Sequence, residues 1–131
     1  MKETALYPTV KSSLLECGCA VDKIPGATYS QGLPDFIATF MGFGVHLEVK
    51  LQKPKNSWQL TELQKEHLIR HHAAGAICGV LTYQIPEKVW RLGSAENTPE
   101  ETQLTVLGHK NLPKMLNHWL VSERRKELGL A

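Results

Sequence analysis

Asp35, Glu48 and Lys50 are the residues of this chain whose types and spacing point to chemistry. Glu48 and Lys50 lie in the segment Val45-His46-Leu47-Glu48-Val49-Lys50. The period of two of a β-strand puts Val45, Leu47 and Val49 on one face and His46, Glu48 and Lys50 on the other. A carboxylate and an ammonium in mid-strand, backed by apolar residues, are costly to bury without a partner. Asp35 opens the preceding segment, Phe36-Ile37-Ala38-Thr39-Phe40, which reads as a strand, and Met41-Gly42-Phe43-Gly44 reads as a four-residue glycine-bearing turn joining the two. Adjacent strands then bring two carboxylates and a lysine together, the makings of a divalent-metal site with a cation beside it.

The order Pro34-Asp35, twelve residues, Glu48-Val49-Lys50 resembles the PD-(D/E)XK nuclease signature. Leu60-Thr61-Glu62-Leu63-Gln64 looks like the Leu-Ser/Thr-x-x-Gln that opens the next helix in the VRR-NUC branch of that superfamily. Glu3, fifteen residues ahead of Gly18, matches the glutamate at the head of the branch's first helix. The resemblance covers about residues 3–83. It implies a restriction-endonuclease-like fold and a metal-dependent nuclease that hydrolyses phosphodiester bonds in DNA. Stand-alone VRR-NUC domains look like junction resolvases, which implies branched DNA, such as Holliday junctions, as substrate. By the same resemblance Asp35, Glu48 and the backbone carbonyl of Val49 hold Mg2+ or Mn2+, hard oxygen donors suiting either ion. Lys50 orients water or offsets charge, Gln64 positions water or phosphate, and Glu3 completes the outer shell. Read without the family, Glu3 is equally an acidic residue complementing a helix dipole.

Around these residues the chain reads as an α/β protein. Leu6, Val10 and Leu14 recur every four residues, one face of a helix that ends near Gly18. Pro8 requires that helix to begin at about Thr4 or Ala5, so that it falls in the first turn. Cys19–Ile24 reads as a first strand. After the two central strands, Thr61 caps a helix running to about Ala74, with Gly75 as its stop. Ala76–Tyr83 reads as a buried strand, and a strand–helix–strand unit of that length implies a parallel crossover. The core is therefore α-β-β-β-α-β, a mixed sheet flanked by helices. A C-terminal extension over residues 84–131 adds strands at Val89–Leu92 and Leu104–Leu107 and a helix after Pro113, with an acidic loop from Glu96 to Glu101. At 131 residues the chain fits a single domain.

On the second helix, Leu60, Leu63, Gln64, His67, Leu68, His71 and Ala74 share one broad face. If that face borders the site, Gln64→Ala should slow catalysis without loss of stability. His67 and His71 have zinc-compatible i, i+4 spacing but no apparent third ligand. They read as hydrogen-bonded core-edge histidines or as a phosphate contact.

Net charge is only +2, so nucleic-acid contact must come from local patches. Lys53 and Lys55 leave the strand that carries Lys50, Lys23 lies near the end of the first strand and Tyr29 in the loop from Gly26 to Gly32; these four are the candidate nucleic-acid contacts. Cys17, Cys19 and Cys78 read as reduced core thiols. There is no run of eighteen apolar residues and no charged-then-apolar leader, so the expectation is a cytoplasmic protein without a membrane span, in a bacterial or phage-infected cell. Two other functions stay open: a catalytically inactive nucleic-acid-binding domain of the same fold, and a zinc-dependent hydrolase built on His67, His71 and a cysteine. Resolving a four-way junction takes two symmetric cuts, which a homodimer supplies. Trp90, Leu116, Trp119 and Leu120 are either its interface anchors or the cover of the subunit's own sheet.

Overall fold

The computed structural model describes residues 1–23, 32–54, 59–95 and 104–130. A 3-10 turn over Glu3–Leu6 leads into helix α1, Tyr7–Glu16. Pro8 thus occupies the first α-helical turn, where its missing N–H costs nothing, and the 3-10 turn absorbs the residues ahead of it. The regular helix starts later than the sequence suggests for this reason. Gly18, at φ +87°, ends it, and the Cys19 N–H reaches back to the Leu14 carbonyl at 3.1 Å.

Strands β1 (Ala20–Lys23), β2 (Phe36–Phe40) and β3 (Phe43–Gln52) run antiparallel in turn. The β2–β3 connection is tighter than the expected four residues. Phe40 pairs with Phe43, and only Met41 and Gly42 turn the chain, with φ of 46° and 88°. Two positive φ values make the turn that matches strand twist best. Helix α2, Glu62–Ala73, crosses from β3 to β4, Ile77–Gln84, which lies parallel to β3. β5 (Val89–Gly93) and β6 (Leu104–Leu107) continue the sheet antiparallel, giving the order β1-β2-β3-β4-β5-β6. Helix α3, Leu112–Glu127, closes the described chain, with Pro113 in its first turn. The α/β sandwich expected from the sequence is the observed fold. Glu96–Glu101 lies outside the described residues, as does Ile24.

The two faces of the sheet differ in kind. Val45, Leu47, Val49, Ile77, Leu81, Trp90 and Leu92 are buried with Leu6, Val10 and Leu14 on one side of the chain and Leu112, Met115, Leu116, Trp119 and Leu120 on the other, so α1 and α3 cover this face together. Gly79 is required there. A Cβ would come within 2.7 Å of the Trp119 ring, and its absence lets α3 lie close on the strand. Trp90, Leu116, Trp119 and Leu120 are 5% exposed or less, which decides between their two readings: they cover their own sheet and leave nothing for an interface. The opposite face, under α2, buries His46, Glu48 and Thr82. No helix among the described residues is long and apolar enough to cross a membrane.

Candidate active site

The polar face of β3 is where the chemistry collects. Phe36 of β2 pairs with Leu47, so Asp35, one residue earlier, falls level with Glu48. Both Asp35 oxygens are engaged. Oδ2 accepts the Val49 backbone N–H at 2.8 Å and Oδ1 accepts the Tyr7 hydroxyl at 2.6 Å. Tyr7 belongs to the first turn of α1, and its ring meets Phe36 edge-on at 5.5 Å, which fixes the phenol beside Asp35. Burial first, and then the hydrogen bond and charge of Asp35, raise the Tyr7 hydroxyl's pKa well above its ordinary value, so it remains a donor.

Glu48 is 3% exposed. Its Oε1 accepts from Gln64 Nε2 at 3.3 Å, while its buried Oε2 has no hydrogen-bond partner among the described residues. Burial pushes this carboxyl well above the usual carboxylate range; the neighbouring Asp35 pushes it further, Glu3 adds to this, and Lys50 pulls it back. A buried carboxyl beside another acidic side chain ionises at a cost, which a bound cation would offset for Glu48.

Gln64 ties the site together from α2. Its Oε1 accepts the Thr61 N–H at 3.0 Å while the Thr61 hydroxyl accepts the Gln64 N–H at 3.1 Å, a reciprocal capping box that starts the helix. The same amide reaches Glu48 on one side and, at 3.4 Å, Lys50 Nζ on the other. Helix initiation and contact with the carboxylate are thus functions of one side chain. Glu3 arrives by the 3-10 turn and its Oε2 accepts the Leu51 N–H at 3.2 Å, which ties that turn to the strand just past Lys50. Thr82 of β4 stands level with Lys50, its buried hydroxyl without a partner among the described residues.

The structure therefore brings Asp35, Glu48, Lys50, Gln64 and Glu3 to one end of β3. Val49 contributes its N–H to Asp35. Lys53 follows β3 on the exposed surface, Lys23 ends β1, and Lys55 and Tyr29 lie outside the described residues. Sequence reasoning missed Tyr7, whose signal was its position one helical turn after Glu3. It also missed a third histidine. His46 Nδ1 lies 2.7 Å from His67 Nε2, and His71 stacks on both rings with centroid separations of 4.6 and 4.1 Å. His46 had been put on the Glu48 face by strand periodicity alone.

The donor set fits a divalent cation. The oxygens are hard, one is buried and unpartnered, and burial disfavours the Glu48 charge, features that a magnesium or manganese ion would relieve.

No family model matches the sequence, and no curated protein sequence matches it. Among solved structures, the chain is similar to that of the Archaeoglobus fulgidus Hjc protein, described as a Holliday junction resolvase from an archaeal hyperthermophile. The two share 21% sequence identity with a TM-score of 0.60, over 88% of this chain and 97% of that one. At that identity the likeness speaks for the fold, a restriction-endonuclease-like mixed sheet flanked by helices.

Proposed function

We propose that the protein is a divalent-metal-dependent deoxyribonuclease of the PD-(D/E)XK kind, in its VRR-NUC branch, and that it hydrolyses phosphodiester bonds in branched DNA. The observation that carries the reading is the convergence of Asp35 and Glu48 on adjacent strands, with a buried Glu48 oxygen left without a partner among the described residues and Lys50 joined to the same group through Gln64. Asp35, Glu48 and the Val49 carbonyl would hold Mg2+ or Mn2+. When bound, the ion supplies Lewis acidity toward phosphoryl oxygens and lowers the pKa of water.

The chain's own residues do the rest. The Tyr7 hydroxyl and the Val49 N–H fix the Asp35 carboxylate from both sides, so its orientation is set before substrate arrives. The Lys50 ammonium offsets the charge that develops on the phosphate, and Gln64 holds that ammonium and the Glu48 carboxylate in register. Lys53, Lys55, Lys23 and Tyr29 contact the nucleic-acid backbone.

Branched DNA as the substrate is supported by the resemblance to junction-resolving domains and by the fold shared with a protein described as a Holliday junction resolvase. Two symmetric cuts favour a homodimer, built on surface other than Trp90, Leu116, Trp119 and Leu120. The setting that fits is the cytoplasm of a bacterial or phage-infected cell.

Incubation with four-way, flapped, nicked, linear and single-stranded DNA in magnesium, manganese or chelator tests the reading. Cleavage should need the metal and favour four-way DNA, and Asp35→Asn or Lys50→Ala should abolish it with the fold intact. Undiminished cutting by both variants in EDTA, or no cutting of any substrate, would overturn it.

A further inference from the structure

Two residues along a strand is about 7 Å, and that separates His46 from Glu48 on the same face of β3. His46 faces α2, where His67 and His71 lie one helical turn apart. Each of the three imidazoles offers one ring nitrogen, and these nitrogens lie within 4.8 Å of one another. We propose that His46, His67 and His71 form a second metal site, distinct from the carboxylate site, that binds a late first-row divalent ion, zinc foremost, and clamps α2 onto β3.

The choice of ion follows from the donors. Imidazole nitrogen suits zinc, copper, nickel and cobalt, whereas carboxylate and carbonyl oxygen suit magnesium and manganese. The two sites therefore select different ions, although they are neighbours. Among the described residues no cysteine joins the nitrogen cluster, so the site is all-imidazole and its fourth position is left to water or another small ligand.

Binding would displace the proton shared by His46 Nδ1 and His67 Nε2 and shift the side chains. Ligands at ~2.0–2.1 Å in a tetrahedron stand about 3.3 Å from one another. The His46–His67 nitrogens, at 2.7 Å, need to separate by a few tenths of an ångström, and the wider pairs need to close. The rings are stacked or tilted at 25–30° to one another, so aiming three in-plane lone pairs at one ion takes rotation about the histidine side-chain torsions. His46 and His67 are 8% and 7% exposed, which shields the nitrogens, and half-buried His71 leaves a way in for the ion.

The position explains what a metal would contribute. Leu68 is the one apolar side chain of α2 that is buried among the described residues, while Leu63 and Ile69 are half exposed. An amphipathic helix ordinarily holds to its sheet by an apolar stripe. Here the stripe reads Gln64, His67, Leu68, His71, so the helix that carries Gln64 to Glu48 rests on polar contacts that a metal ion would cross-link.

The test uses the full chain, stripped with chelator, with cobalt(II) and zinc(II) as probes and no nucleic acid present. One equivalent of cobalt should give the visible absorption of a four-coordinate centre, zinc should displace it, and zinc should raise the melting temperature. His71→Ala, the least buried ligand, should weaken zinc binding by at least about 100-fold, since even losing a residue that only supports a ligand costs 10–100-fold. His67→Gln gives an independent check, with circular dichroism confirming that each variant folds. Asp35→Asn should leave the cobalt spectrum unchanged. Absence of the spectrum and of the zinc-induced melting shift in the wild-type chain would overturn the proposal, as would binding retained by both histidine variants or lost in Asp35→Asn. Because no DNA is involved, these outcomes are independent of whether the protein cuts DNA.

Discussion

Tyr7 and Gln64 show how single side chains in this protein serve geometry and chemistry together. The Tyr7 hydroxyl donates to Asp35 at 2.6 Å, the one side-chain donor to that carboxylate among the described residues. A hydrogen bond to a charged group contributes roughly 1.5–3 kcal/mol, so Tyr7→Phe should lower the cleavage rate by about 10- to 100-fold while the phenyl ring keeps its edge contact with Phe36. A steady-state comparison with the wild type, with folding followed by circular dichroism, checks this; an unchanged rate would remove Tyr7 from the site. Gln64 needs two variants, because its amide also closes the capping box with Thr61. The expectation that Gln64→Ala would leave stability untouched gives way to a loss of about 1 kcal/mol with the cap, together with slower cleavage. Gln64→Glu preserves the box, since Glu serves at that position as well as Gln, but it removes the donor to Glu48 and adds a carboxyl to a site that already has Asp35, Glu48 and Glu3. It should therefore melt close to the wild type and cut far more slowly. Equal activity of Gln64→Glu and wild type would show that the capping box is all that Gln64 supplies.

At the scale of elements, β3 is the organising strand, and its hairpin to β2 is the least comfortable joint. Met41 sits at φ 46° with its side chain exposed, so it gains nothing from packing for adopting a left-handed conformation. Asn visits that region more readily, and Asn-Gly is the preferred pair for this turn. Met41→Asn should raise stability by up to ~1 kcal/mol, read as a higher denaturation midpoint with an unchanged slope. A lower midpoint would mean that the turn tolerates Met for a reason that local backbone preference does not contain. Helix α2 is the counterpart on the other side of β3: well capped, lightly anchored by apolar contact, and carrying both Gln64 and two of the three clustered histidines.

For the whole molecule, the buried titratable groups set a pH profile. Burial, then His71 and His67, lower His46 to about 4, and burial, then His71 and Arg70, lower His67, so both are neutral in the fold. Unfolded, they take up protons below their ordinary value of 6.5, and their contribution to stability is lost as pH falls below that value. Glu48 works in the opposite sense. Its folded pKa is raised, so its contribution is full below its ordinary 4.5 and is lost as pH rises towards the raised value. In chelator, the histidines no longer contribute a slope above about pH 6.5 and Glu48 alone acts there, so thermal stability should fall as pH rises from about 6.5. Melting curves from pH 5 to 9 test this. Glu48→Gln should flatten the alkaline side and make stability rise more steeply with pH below about 6.5; a wild-type profile that rises steadily with pH would refute the assignment.

Much of this was legible from local pattern. A strand's period of two is fixed by the pleat, so the sorting of Val45, Leu47 and Val49 from His46, Glu48 and Lys50 needed no tertiary information. The capping residue Thr61, the parallel crossover and the apolar stripe of α3 were readable for the same reason, since each depends on neighbours within a few residues. The turn at Met41-Gly42 was not, because a positive φ at Met opposes its own preference and is imposed by the pairing of Phe40 with Phe43. Nor was the fate of Trp90 and Trp119: periodicity says that a stripe is apolar, and only the packing of α3 against the sheet says what covers it. His46 and His67 are 21 residues apart and meet solely because the crossover helix lies over β3. Tyr7 meets Asp35 across 28 residues because a 3-10 turn carries the first helix to the end of that strand. Short-range periodicity determined which side chains share a face; contacts between distant segments, set by how helices pack on the sheet, decided which of those side chains touch.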